Sequence, residues 1–373
     1  MPGSITTTNA PNDNLDTSLL KELSRRSLVD ALNSVNGAKT LVLDPAIAGP
    51  LGLVAEVSLL KDHGVDKMFW LEDGPLSAST TNIVYLCRPL IKWIKIIANQ
   101  IKGHAQLTPP QKHNYTILLV PRVSTLATRI LEEEGVLGEV ALSSYNLQFI
   151  TLEEDVISLE YETAFKEIWV DGDETAIYDS AQALFTLQRL YGSFPRLLGK
   201  GDRAARLCQL FQKISTTAST FQNSTSEKID ALIIIDRQVD LLTPLLTQLT
   251  YEGLIDEMIG IKNTNVEIPA SLLALANQNP QPTAGSSAAA LPRDGKDKKK
   301  KYLLSSSTDP LLNELRDLNF SQIGKKLSKV ARRLDEDYKS RLKAKTVAQL
   351  KEFVGKLGGL QTEHQALKIR ERE

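Results

Sequence analysis

Asp236, Arg237 and Asp240 bring two carboxylates and a guanidinium together just after the apolar run Ala231-Leu232-Ile233-Ile234-Ile235. That run reads as a strand covered on both faces. Acids beyond the carboxyl end of such a strand could hold Mg²⁺ for phosphoryl chemistry. The alternative is a polar clasp in which Arg237, held between Asp236 and Asp240, fixes the turn. The clasp is the better reading, because the arginine already supplies the positive charge that a metal would bring. No catalytic lysine stands nearby at a recognisable spacing.

The turn Asp44-Pro45-Ala46-Ile47-Ala48-Gly49-Pro50-Leu51-Gly52 is the other place where a phosphate could bind. It lacks G-x-G-x-x-G and G-K-[ST], and its prolines remove two of the amides that a phosphate cradle would use. It reads as a rigid turn setting the following helix against a sheet. His63, His104, His113 and His364 have no metal-ligand spacing, and Cys87 and Cys208 stand alone. There is no G-x-S-x-G and no kinase set. Arg88 and Arg122, each beside a proline at a strand end, could face a partner; the better reading is that they are solvated or tied to nearby carboxylates. Neither a cofactor nor an enzyme activity is expected from these residues.

The elements that must position these groups alternate. A helix is expected over Thr17–Leu32, then strands at Leu41–Leu43, Lys67–Leu71, Ile83–Cys87, Tyr115–Val120 and Leu147–Leu152. Helices at Leu53–His63, Leu90–Lys102 and Ser124–Glu134 separate them. This spacing implies an α/β domain with a five-stranded parallel sheet, helices on both faces. Beyond it, helices at Ile177–Tyr191 and Ala204–Ile214 lead to the 231–235 strand, and Thr243-Pro244 reads as a helix start. Residues 277–305, rich in Pro, Gly, Ala and Ser and carrying Lys296 and Lys298–Lys301, read as a disordered loop. After Asp309-Pro310, Leu311, Leu315, Leu318, Ile323, Leu327, Val330 and Leu334 form the stripe of an amphipathic helix that packs on the chain's own core. Its other face carries Lys325, Lys326, Lys329, Arg332 and Arg333. A second helix around Val347–Leu357 would complete a helical hairpin.

Over 373 residues the composition is 42% hydrophobic and 24% charged with a net charge of −1, which argues against a dedicated nucleic-acid binder. Two cysteines favour a reducing compartment. The opening MPGSITTTNAPNDN has no signal-peptide pattern, and no stretch has the apolar length of a membrane span. A soluble cytosolic protein is expected, at most peripherally attached to membrane.

The segment DRQVDLLTPLLTQLTYEGLIDEMIGI (236–261) resembles the hallmark of the SM proteins, cytosolic chaperones of SNARE assembly. Further segments agree with the family's class C vacuolar branch: LVLDPAIAGPLGLVAEVSLLKDHGVDKMFWLE (41–72), VYLCRP (84–89), LEEEGVLGEV (131–140) and LRDLNFSQIGKKLSKVARR (315–333). The resemblance implies an N-terminal segment and first helix (1–33), a Rossmann-like domain 1 (34–152), the first half of a second α/β domain (153–268) and the start of a helical domain 3a (269–373). The rest of domain 3 and the returning half of domain 2 would be absent. It also implies binding of R-SNARE and Qa-SNARE motifs and promotion of membrane fusion at the vacuole or lysosome and late endosome. The partners implied are SNAREs and the other class C subunits of the HOPS and CORVET tethers, through which the protein would meet membrane. Within the implied hairpin, helical faces single out Lys325, Lys326, Lys329 and Arg333 from the first helix and Phe353, Leu357 and Leu360 from the second as SNARE contacts. The alternatives are a nucleotide-dependent α/β enzyme and a tether scaffold that ignores SNAREs.

Overall fold

The computed structural model describes residues 15–107, 112–217, 224–269, 299–305 and 309–343. Two compact units divide the chain, Met1–Val239 and Asp240–Glu373. The division falls inside the 153–268 segment.

Unit 1 is built on a five-stranded parallel sheet of β1 (Lys39–Leu43), β2 (Val65–Trp70), β3 (Asn82–Cys87), β4 (Asn114–Leu119) and β5 (Val140–Ser144). The strand order is β2-β1-β3-β4-β5. Strands β1 and β3 are buried along their whole length, and past Lys39-Thr40 and Asn82 they are the apolar runs of inner parallel strands. Period-2 alternation then sends side chains to two layers. Val42, Ile83, Tyr85, Cys87, Ile117 and Leu119 face helices α4 (Ile91–Gln106) and α5 (Thr125–Glu133). Leu41, Leu43, Val84, Leu86 and Leu118 face α1 (Ser18–Asn33), α2 (Pro45–Val54) and α3 (Val57–Asp62).

Two expectations for this sheet need correction. The fifth strand is Val140–Ser144, not Leu147–Leu152; Ile150–Glu153 (β6) instead pairs antiparallel with Val156–Ser158 (β7). An edge strand with one exposed side reads as polar, so VALSS lost to the more apolar LQFITL. The stretch expected to be a rigid turn after β1 is α2 itself. Asp44 caps it by accepting from the Ala46 N–H at 3.0 Å, and Pro45 takes the first helical position. The helix expected at Leu53–His63 is therefore split into α2 and α3.

The rest of unit 1 carries a short helix, Ala164–Lys166 (α6), running into a π turn, then α7 (Thr175–Tyr191), β8 (Leu197–Lys200), α8 (Asp202–Thr217) and β9 (Leu232–Ile235). Strand β9 pairs in parallel with β8 alone. It is not covered on both faces. Leu232 and Ile234 are half-buried on the side of α8, whereas Ile233 and Ile235 are 62% and 67% exposed.

In unit 2, α9 (Tyr251–Met258) begins at Thr250, whose hydroxyl accepts from the Gly253 N–H at 3.3 Å. Thr243-Pro244 makes only one tight 3₁₀ turn, in which Thr243 lies inside the turn and its hydroxyl donates to Asp240. Leu245 is accordingly 82% exposed. A three-stranded antiparallel sheet joins β10 (Ile261–Lys262), β11 (Asn265–Pro269) and β12 (Lys299–Leu303). Lys299–Lys301 thus belong to a strand, which corrects the end of the 277–305 loop; residues 277–298 lie outside the described residues. The 309–343 stretch is two helices, α10 (Pro310–Leu315) and α11 (Phe320–Lys343), separated by a turn.

Candidate functional site

The mouth of the parallel sheet lies where β1 and β3 diverge in strand order, the crevice in which such sheets usually take a ligand. Here it is filled by the chain's own charges. Asp44 is fully buried, and besides capping α2 it accepts from Arg88 Nε at 2.8 Å and Nη2 at 3.3 Å. The two-pronged geometry is the strong form of this pair. Arg122 Nε donates to Asp179 at 2.8 Å, and its guanidinium lies 5.0 Å from the centre of the Tyr178 ring. Both strand-end arginines are tied to carboxylates, which decides between the solvated and the paired forms left open by the sequence.

Asp236 is buried and serves a different helix. Its Oδ2 accepts from the Arg203 N–H at 3.0 Å in the first turn of α8, and its Oδ1 from the Gln238 N–H at 3.1 Å. A carboxylate on those amides also complements the positive end of the helix. Gly201 makes the approach possible: its φ is +99°, and a Cβ there would stand 2.4 Å from the Asp236 Cβ. Within unit 2, Asp240 accepts from the N–H groups of Leu242 and Thr243, each at 3.0 Å. Both acids of the expected clasp are thus engaged by main-chain amides. Among the described residues no group of His, Cys, Asp and Glu is placed to hold a metal ion.

Helix α11 positions the predicted basic residues. Asp309 caps α10, accepting from the Leu311 and Leu312 N–H groups at 3.0 and 3.1 Å. Arg316, in the turn that follows, donates to Glu252 of α9 at 2.8 Å. Asn319 Oδ1 accepts from the Ser321 N–H at 3.0 Å as α11 opens. Ile323, Leu327, Val330 and Leu334 are buried with Leu311, Leu312, Leu315 and Tyr251. This is the spacing of one helical face, and full burial of each such side chain stabilises by roughly 1.5–3 kcal/mol. The stripe packs on the chain's own core, as expected.

With that face inward, Lys325, Lys329, Arg332 and Arg333 are exposed. Lys325 and Lys329 make no ion pair among the described residues. Lys326, at the edge of the buried stripe, is half-buried and donates to Glu314 Oε2 at 2.5 Å. That bond, with further help from Lys326, Arg333 and Lys329 as nearby charges, holds the Glu314 carboxyl below its ordinary pKa. Glu314 was absent from the sequence reading, since only the turn between α10 and α11 folds it back beside a lysine twelve residues on. Phe353, Leu357 and Leu360, with the second helix of the hairpin, lie outside the described residues. No helix among the described residues is long and apolar enough to cross a membrane.

Residues 39–369 match the model of the Sec1 family. The chain is 39% identical over 345 residues to vacuolar protein sorting-associated protein 33A of Rattus norvegicus, covering 92% of this chain and 56% of that protein. It is 34% identical to vacuolar protein sorting-associated protein 33 of Schizosaccharomyces pombe, covering 94% and 56%. The chain therefore spans a little over half the length of these curated relatives. Among solved structures, the SM protein Vps45 in complex with the Qa SNARE Tlg2 superposes with a TM-score of 0.58 at 17% identity, covering 95% of this chain and 60% of that one. The Unc18–syntaxin 1 complex from Monosiga brevicollis gives 0.57 at 19% identity, covering 94% and 62%. At these identities the likeness concerns the fold.

Proposed function

The chain belongs to the Sec1 family, and from that premise we propose that it binds SNARE motifs and promotes their assembly during transport to the vacuole or lysosome and late endosome. It does so as a subunit of the HOPS and CORVET tethers, meets membrane through those partners, and is not an enzyme. Relatives named for vacuolar protein sorting support the pathway, and SM proteins of the same fold solved with a Qa SNARE or with syntaxin 1 support the ligand class. The domain plan set by the resemblance, 34–152, 153–268 and 269–373, goes with this reading. So does the clasp of Asp236, Arg237 and Asp240 as a turn-fixing device.

The observation that carries the proposal is the division of labour along α11. Its apolar stripe is spent on folding, which leaves Lys325 and Lys329 facing solvent. Cations displayed on a rigid helix suit recognition of an acidic helix, where charge sets register and apolar neighbours add affinity. Phe353, Leu357 and Leu360 of the second helix are the proposed apolar neighbours. Fluorescence anisotropy of labelled vacuolar SNARE-motif peptides titrated with the folded chain tests this. Saturable binding that weakens with added salt is expected, and Lys325→Glu with Lys329→Glu should lower the affinity about tenfold. A folded chain that binds tether subunits while ignoring every SNARE motif would leave only a scaffold.

A further inference from the structure

We propose that Lys325, Lys329 and Arg332 form the register on which one acidic helix docks, and that Glu314 sets the edge of that register by withdrawing Lys326 from it. The inference rests on the SNARE-binding reading of α11 and assigns residues within it.

Lys325, Lys329 and Arg332 follow one another at four and three residues, so they stand in a row along the helix, about 10 Å from end to end at 1.5 Å per residue. The row lies opposite Ile323, Leu327, Val330 and Leu334, and all three members are exposed. Glu336, also exposed, takes the next position and closes the row with the opposite charge. Lys326 lies a quarter-turn away. Its ammonium is already neutralised by Glu314, whose side chain is 53% exposed and lies close enough to Lys329 of the row to feel its charge. A partner carboxylate drifting toward Lys326 would meet Glu314 first, a repulsion that disfavours the wrong register.

The partner that fits is a helix with carboxylates at i, i+4 and i+7, because a helix laid along α11 repeats its charges on one face at the same spacing. A lipid surface fits less well. A membrane-lying helix needs a free apolar face beside its basic one, and that of α11 is buried in the core. The exposed neighbours of the row, Ser321, Gln322, Gly324 and Ser328, offer nothing to insert, and the exposed Phe320 at the helix start lies on the side away from the row.

The test uses the full chain and a labelled SNARE-motif peptide with acids at i, i+4 and i+7, alongside its counterpart in which those acids are Gln. Wild-type chain should bind the acidic peptide and lose about tenfold in affinity in the Lys325→Gln/Lys329→Gln variant. Glu314→Gln should tighten binding about threefold, and adding Lys326→Gln should remove most of that gain, since Lys326 is the group Glu314 bonds while Lys329 and Arg333 are only nearby charges. If the lysine pair can be replaced without loss, the α11 reading itself fails. If that pair matters but Glu314→Gln gives no gain, or a gain that Lys326→Gln leaves intact, the role of Glu314 is overturned while the α11 reading stands. Binding to vesicles of phosphatidylcholine with 30% phosphatidylserine (about 30% is a test composition rich in anionic lipid) that depends on the lysine pair, with peptide binding indifferent to it, would make the row a lipid surface and overturn the proposal.

Discussion

The sheet mouth of unit 1 and the outer face of α11 in unit 2 are both rich in charge, and they use it in opposite ways. At the mouth, Asp44 is buried and saturated by the α2 amide and the Arg88 guanidinium, while Arg122 is held by Asp179. On α11, Lys325 and Lys329 extend from a helix whose folding is already secured by its apolar stripe. Charge satisfied inside the chain shapes the fold; charge left outside it is available to a partner. The contrast also bears on chemistry. A sheet of this order could host a ligand at its switch point, and here that position is occupied by a cap and an ion pair.

Substitutions can break this comparison. Leu315→Ala, beneath α11, should destabilise unit 2 by about 3 kcal/mol through the lost burial and the cavity left behind; denaturant unfolding reads it. Asp44→Ala should cost about 2–3 kcal/mol, because it strips α2 of its cap and leaves Arg88 without its partner. Peptide affinity should stay within about twofold, so a large loss of affinity at constant stability would move function to the sheet mouth. Lys325→Glu/Lys329→Glu should do the reverse, leaving stability within about 0.5 kcal/mol, as expected of surface changes, while weakening SNARE-motif binding. A smaller effect sharpens the picture at the rim. Because the folded-state pKa of Glu314 is lowered by Lys326, the ion pair is present above the ordinary glutamate range and is lost as pH falls through the lowered value. In carbon-detected NMR the Glu314 midpoint should rise toward the ordinary value in Lys326→Gln. An unchanged midpoint would mean that another group holds it.

Much of this was legible in the residues. The apolar runs Leu41–Leu43, Ile83–Cys87 and Tyr115–Val120 announced the inner strands, and Ile323, Leu327, Val330 and Leu334 announced the inward face of α11. Local patterns failed where a partner far along the chain decides the outcome. The helix expected at Thr243 begins after Thr250, where the chain bonds to the distant Leu318 and Phe320 backbone. Val140–Ser144 became the edge strand because it pairs with β4, and its own side chains say little. The isoleucine run 233–235 looks buried by composition, yet β9 has α8 over one face only. For the site, helical spacing placed Lys325 and Lys329 outward. It could not reveal that Lys326 is spoken for, since Glu314 reaches it only through the turn between α10 and α11. The use of Asp236 to seat α8 was equally hidden, its one clue being Gly201 placed where a Cβ would collide.

The most direct test of the central claim is hydrogen–deuterium exchange on the full chain with and without a saturating vacuolar SNARE-motif peptide. The account predicts slower exchange along Phe320–Lys343 on binding, abolished by Lys325→Glu/Lys329→Glu, with exchange at Pro45–Val54 and Ile91–Gln106 beside the sheet mouth unchanged. Protection at the sheet mouth with none along α11 would contradict it.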